Sequence, residues 1–210
     1  MKNKSIVIVC GDPKSTFNEI LIKTLNNKVL KNIKVPIVIV GSKKLLENEF
    51  KKLKIKVNLQ KFEDKINLIK KNVYIFDIPL NQKKLSLSDK NKYITKSFEI
   101  GLNLLKNKKS FALINGPISK TTFLKGKYSG ITEYLAFKTG SLNEVMLIFN
   151  KKLSVSPITT HIPIYQVTKK IKKKIIFNKI NIINAFYKKF LGFKPNIAVT
   201  GLNPHCETFF

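Results

Sequence analysis

The chain contains two histidines, His161 and His205, and each lies within two residues of a proline. Each also comes soon after an apolar run that reads as a strand. Leu153 to Ile158 leads into Thr159-Thr160-His161-Ile162-Pro163, and Lys194 to Thr200 leads into Gly201-Leu202-Asn203-Pro204-His205-Cys206-Glu207. Neutral imidazole is a good ligand for Zn²⁺ and other divalent ions, and ligands that converge from separate strand ends are ordinary in catalytic sites. A solitary histidine is more often packed or solvated, so the shared placement sets a metal site beside that plainer reading. Two ligands do not complete a catalytic site, which usually has three protein ligands and an open position. Glu207 or Asp12 could supply the third, and spacing selects neither. Cys206 adjoins His205 but has no second histidine placed to activate it, so it reads as a small residue near the site and not as a nucleophile.

Two further turns could meet an anion. Gly116-Pro117-Ile118-Ser119-Lys120 follows the apolar run Phe111 to Asn115, and it could offer backbone N–H groups and a lysine at a helix start. It reads equally as a plain strand-to-helix turn with a surface lysine. Gly11-Asp12-Pro13-Lys14 resembles a phosphate loop only weakly. The chain has neither the Walker lysine pattern nor a GxGxxG, so neither a P-loop nor an ordinary Rossmann fingerprint is present.

These turns need a scaffold, and short apolar runs alternating with amphipathic stretches predict one. Strands are expected at Ser5–Cys10, 36–40, Val73–Ile78, 111–115 and 194–200, with Glu144–Asn150 and Leu153–Ile158 as a possible pair. Helices are expected from a capping box at Thr16-Phe17-Asn18-Glu19 through Leu25, over 43–53, over 86–106, and over 173–190 as a basic helix. Strands alternating with helices predict an α/β sheet with substantial parallel pairing, and function then gathers in loops at the carboxyl ends of the strands. The length of 210 residues suits one large domain or two small ones, and composition marks no boundary between them.

A chain that is 43% hydrophobic can bury a core, which excludes a disordered basic tail. The net charge of +28 comes from 40 basic residues, every one of them lysine. Base-edge readout and phosphate forks favour the planar guanidinium, so the lysines read as a solvated surface and not as a nucleic-acid site. A positive field still attracts phosphorylated metabolites. Cys10 and Cys206 cannot form a disulfide framework, which predicts a reducing, cytoplasmic setting. The apolar run Ile6 to Val9 is too short for a signal segment, and no stretch approaches the ~18 apolar residues of a membrane helix.

Five segments in order carry a resemblance. They are Gly11-Asp12-Pro13, Asn115-Gly116-Pro117-Ile118-Ser119-Lys120, Gly130-Ile131-Thr132-Glu133-Tyr134-Leu135-Ala136, Thr159-Thr160-His161-Ile162-Pro163-Ile164 and Gly201-Leu202-Asn203-Pro204-His205. Each is weak by itself; the five at these spacings resemble the 4-hydroxythreonine-4-phosphate dehydrogenase family of vitamin B6 biosynthesis. The resemblance implies an isocitrate/isopropylmalate-dehydrogenase-like three-layer α/β/α fold, a homodimer, NAD and a divalent metal (Zn, Mg or Co). It also implies oxidation of 4-phosphooxy-L-threonine at its 3-hydroxyl, followed by decarboxylation to 3-amino-2-oxopropyl phosphate. On this resemblance His161 and His205 match metal ligands, and Thr132 matches a substrate-binding threonine.

The departures carry expectations of their own. Ile131 stands where the family usually has a histidine, and isoleucine can neither donate nor accept a hydrogen bond. After Pro13 the early loop reads Lys14-Ser15-Thr16-Phe17-Asn18 in place of small and glycine residues. Family members run well beyond the position of Phe210. The resemblance therefore implies that residues 1–210 are the N-terminal and central portion of such a dehydrogenase, without the third metal histidine and several substrate-binding residues. It follows as an expectation that this portion alone does not turn over substrate. Other readings are an inactive remnant or split subunit, a dehydrogenase for another phosphorylated hydroxy acid, and a lysine-rich nucleic-acid-binding protein.

Overall fold

The computed structural model describes residues 4–26, 33–63, 66–81, 84–141 and 143–203. They fall into two compact units, Met1–Tyr128 and Ser129–Phe210, a division that composition does not mark.

The first unit is built on five parallel strands: β1 (Ser5–Val9), β2 (Ile37–Gly41), β3 (Leu59–Lys61), β4 (Val73–Asp77) and β5 (Ser110–Asn115). Their order across the sheet is β3-β4-β2-β1-β5. Parallel strands covered on both faces read as continuous apolar runs, which is why Ile6 to Val9 and Ile37 to Val40 show no polar alternation. On one face Ile8, Cys10, Ile37, Ile39 and Ile75 pack with Leu21 and Ile22 of helix α1 (Phe17–Leu25) and Leu46 of helix α2 (Lys43–Leu53). On the other lies helix α3 (Leu87–Lys106), where Ile94 and Phe98 are fully buried. A side chain at Gly101 of α3 would lie 2.8 Å from Val9 Cγ2, so helix and sheet approach closely there. The unit is a three-layer α/β/α arrangement, as the resemblance implies, on the parallel sheet that the alternation of runs predicts.

Helix starts follow side-chain chemistry in two cases and depart from it in one. Ser42 Oγ accepts from the Leu45 N–H at the start of α2, and Ser86 Oγ accepts from the Asp89 N–H at the start of α3. The capping box expected at Thr16 does not form. Thr16 already has helical dihedrals (φ −70°, ψ −1°), so its side chain makes no cap, and Glu19 pairs with Lys23 instead of reaching back.

The second unit carries helices α4 (Ile131–Thr139), α5 (Ile164–Lys170) and α6 (Lys173–Phe186), the last continuing into a π-helical turn, Tyr187–Leu191. Here the expected strands are not found among the described residues. The segments 144–150 and 153–158 meet only through one antiparallel bridge, Ile148 with Val155, and 194–200 is irregular. Ile148 and Val155 are 57% and 53% exposed, so their β-branched side chains have no covering layer to reward strand formation. No helix among the described residues is long and apolar enough to cross a membrane.

Candidate active site

The path of the chain sets a topological switch point at the carboxyl end of the sheet in the first unit. From β1 the chain enters α1 on one face. From β5 it enters a π-helical turn, Lys120–Leu124, which packs on α3 at the other face through the stacked rings of Phe98 and Phe123. Adjacent strands whose connections leave to opposite faces form a topological switch point, where open α/β sheets take their ligands. The first two resemblance segments are the two loops of that switch point.

Asp12 knits them together. Its N–H donates to Pro117 O (2.8 Å), while the Gly116 N–H donates to Val9 O (2.7 Å). The Asp12 carboxylate accepts from the Lys14 N–H at Oδ1 (3.0 Å) and from Lys90 Nζ of α3 at Oδ2 (2.9 Å). Its carbonyl accepts from Ser15 Oγ (2.7 Å). Both carboxylate oxygens are therefore engaged inside their own unit, which answers part of what Asp12 does: it fixes the loop. The side chains of Lys90 and Asp12 are only 15% and 16% exposed, so the pair is mostly shielded from water. We expect Lys90→Met, which keeps the stem and removes the charge, to lower stability by about 2 kcal/mol because it strands a shielded carboxylate. Urea unfolding of Lys90→Met, Asp12→Asn and the double variant checks this, since a real pair makes the double less costly than the sum.

Two buried ionisable groups lie near these loops. Burial pushes the Cys10 thiol up to about 12, so it stays protonated and is no nucleophile. Burial likewise raises the Tyr93 phenol, whose oxygen accepts the Ser42 N–H at 3.0 Å. At the turn after β5, Ser119 Oγ accepts the Thr122 N–H and its carbonyl accepts the Phe123 N–H. Those two N–H groups are spent inside the five-residue turn.

The remaining described candidates meet in the second unit. Gly130 precedes α4 and caps it without a side chain, so Ile131, Thr132 and Glu133 form the first helical turn, and all three are half-buried. His161 lies across from it in the loop that leads to α5. Because no strand ends before His161 among the described residues, its place is a loop held by the neighbouring helix and not the strand end that the sequence predicts. Its backbone is left-handed, with φ +53°. Thr160 Oγ1 donates to Glu133 Oε1 at 3.4 Å and ties the two segments together. A Cβ built on Gly130 would lie 3.1 Å from Glu133 Oε2 and 3.6 Å from His161 Nε2, so both side chains converge over the glycine. Sequence reasoning passed over Glu133 and Lys90. The signal for Glu133 was its place beside Thr132; Lys90 lies 78 residues from Asp12 and carries no local signal.

His205, Cys206 and Glu207 lie outside the described residues. Among the described residues no three His, Cys, Asp or Glu side chains gather as a metal-holding group.

Comparison with known proteins adds what geometry alone does not. The sequence model of the family described as "Pyridoxal phosphate biosynthetic protein PdxA" matches residues 32–208. The chain belongs to this family. A PdxA-family relative from Sulfurihydrogenibium sp. (strain YO3AOP1), named 4-hydroxythreonine-4-phosphate dehydrogenase, is 37% identical over 209 residues, 96% of this chain and 64% of that protein. One of the same name from Aquifex aeolicus (strain VF5) is 32% identical over 212 residues, 97% of this chain and 64% of that protein. The solved structure of a 4-hydroxythreonine-4-phosphate dehydrogenase from Burkholderia phymatum matches with a TM-score of 0.80 at 26% identity, over 97% of this chain and 64% of that one. The α/β fold with its parallel sheet is thus that of the PdxA family, and this chain spans 64% of the length of these relatives.

Proposed function

We propose that the protein of which this chain is part or whole is a 4-hydroxythreonine-4-phosphate dehydrogenase. It oxidises the 3-hydroxyl of 4-phosphooxy-L-threonine with NAD and a divalent ion, acting as a cytoplasmic homodimer. The observation that carries this reading is the 37% identity to a PdxA-family dehydrogenase along nearly the whole chain. Two local features support it. The first is the topological switch point whose two loops Asp12 joins. The second is the convergence of Thr132, Glu133 and His161 around Gly130.

The residues present fit a divalent ion, because an imidazole nitrogen and a carboxylate oxygen both face the space over Gly130. Bound there, the ion would lower the pKa of the substrate hydroxyl, and NAD would supply the hydride acceptor. His161, with His205, is the ligand we assign to it. Thr132 offers its hydroxyl to the substrate's polar head from the first turn of α4. Asp12, held by Lys90, keeps the β1 loop against the β5 loop, so that this end of the sheet is fixed before substrate arrives. In the overall change the alcohol carbon gives up a hydride and the hydroxyl a proton. The resulting 2-amino-3-oxo acid then loses CO₂ and gains a proton at carbon 2, giving 3-amino-2-oxopropyl phosphate. Side chains such as Ile164 and Leu153, 88% and 74% exposed, are the apolar surface that assembly would cover.

The test is NADH formation from 4-phosphooxy-L-threonine with Zn²⁺, Mg²⁺ or Co²⁺, run beside other phosphorylated hydroxy acids. We expect metal-dependent NADH with the threonine derivative preferred by the protein that carries this chain; preference for another acid would replace the substrate assignment. Ile131 opens α4 beside Thr132, so Ile131→His would restore a polar contact at the substrate without reaching the ion. We expect KM to fall or hold while metal content stays fixed. A large rise in KM would show that the pocket is built around the apolar side chain.

A further inference from the structure

A groove of about 690 Å³ runs along the exposed side of α3, with Leu87, Ser88, Lys92, Thr95 and Lys96 on the helix and Lys125 beside them, just past the π-helical turn. That volume lies in the range of small-molecule sites. Lys92, Lys96 and Lys125 are exposed and enter no ion pair among the described residues. Lys92 and Lys96 stand one helical turn apart, so their like charges repel and cost the helix stability. Lys125 caps the π-helical turn, a form found frequently at functional sites. Asn91, which also lines the groove, joins the helix to that turn, and the junction is not saturated. Its Nδ2 donates to Thr122 O (2.9 Å), but Asn91 Oδ1 and Thr122 Oγ1 are buried without a hydrogen-bond partner among the described residues. The preceding residue, Lys90, holds Asp12. Successive residues of α3 thus tie down the loop after β1 and the turn after β5.

We propose that this groove is a second ligand site and takes a phosphomonoester. Lys92 and Lys96 of α3, with Lys125 past the turn, hold the phosphate, and the organic part lies toward Leu87, which is 51% exposed. A phosphomonoester carries a charge of about −1.5 to −2 at pH 7, and lysine meets it as a point charge without needing the planar fork. Ser88 and Thr95 add hydroxyl donors. Glu99, at the end of the groove away from Leu87, repels a longer polyanion, so the charge pattern selects a small molecule over a nucleic-acid strand. The site involves neither a metal nor NAD, and it stands apart from the dehydrogenase reading. An occupant that spans Lys96 and Lys125 draws the turn onto α3, where Asn91 and Lys90 pass the restraint to both loops of the switch point.

Glycerol 3-phosphate is the probe, added to the intact chain in EDTA and without NAD, so that neither metal nor turnover enters the readout. Binding is followed by calorimetry and by the backbone amide resonances of Asn91, Thr95, Thr122 and Lys125. Three variants are compared with wild type: Lys92→Gln with Lys96→Gln, Lys125→Gln alone, and Lys169→Gln with Lys170→Gln. The last pair removes charge from exposed lysines of α5 as a control. All five positions are exposed, so each variant should melt close to wild type before ligand is added. We expect saturable one-to-one binding that shifts the four amides. The α3 pair and Lys125→Gln should each weaken it about tenfold, as loss of a charged hydrogen bond does, and the α5 pair by less than about twofold. Equal weakening in all three variants would overturn the proposal, because the anion would then answer to the general field of a lysine-rich surface. Absence of saturable binding in wild type would overturn it as well. Shifts confined to the loops after β1 and β5, and indifferent to Lys125→Gln, would place the phosphate at the switch point. That result would overturn this site and leave the dehydrogenase reading intact. Failure of the dehydrogenase reading shows instead as absent NADH formation, which none of these measurements uses.

Discussion

Alanine at Gly11 should destabilise the first unit by about 3 kcal/mol, several times what a surface substitution costs. Two causes add. Gly11 has φ +71°, a left-handed conformation that costs an L side chain about 1–2 kcal/mol. Its Cβ would also lie 2.5 Å from Pro117 O, a backbone atom that cannot swing aside as a flexible side chain would. Relieving that overlap means parting the β1 and β5 loops, which are joined at this point by the Asp12 N–H and Pro117 O. Overpacking of this kind costs about 1–3 kcal/mol. Gly126 provides the control. It has φ +69° but nothing within 4 Å of its Cβ position, so Gly126→Ala should show the conformational cost alone, about 1 kcal/mol. Urea midpoints of the two variants measure the difference. Equal losses would mean that the loops at the switch point do not press on each other.

That same loop shows why the sequence was informative in one unit and less so in the other. β1, β2 and β4 are buried from both faces, so they had to be uninterrupted apolar runs, and such runs are visible without any structure. Helix α3 announced itself with Ser86 ahead of a long amphipathic stretch, and the structure places the cap there. β3 was missed because it is three residues, Leu59-Gln60-Lys61, at the sheet edge, too short to show a period. In the second unit apolar content stopped predicting burial. Phe137 is 67% exposed on α4, which hides that helix's period, and Val199, in a run that reads as a strand, is 55% exposed and unpaired. The chemistry was legible where a residue type was rare: only two histidines exist, so His161 stood out. It was illegible where function depends on what a distant segment brings. Neither the reach of Lys90 to Asp12 nor that of Thr160 to Glu133 has any local spacing to betray it.

Removing the His161 side chain should abolish divalent-metal uptake, and two replacements should do so with unequal effects on the fold. His161→Ala and His161→Gly both delete the imidazole that faces the space over Gly130, and both should leave the protein without metal-dependent NADH formation. They differ in the backbone. At φ +53° alanine keeps the steric conflict between Cβ and carbonyl, whereas glycine adopts this conformation freely. Glycine gives back part of that gain, because its unfolded chain has more states to lose. The balance favours His161→Gly over His161→Ala by about 0.5–1 kcal/mol in metal-free urea unfolding. A histidine kept for packing would behave otherwise, since it would lose contacts in both variants and lose no ion in either. Metal analysis of the dialysed proteins, read beside the two unfolding midpoints, separates these cases. Stoichiometric metal in both variants would refute the ligand assignment. Equal midpoints would mean that the left-handed turn carries no strain, and that the chain does not sacrifice stability to hold the imidazole where it stands.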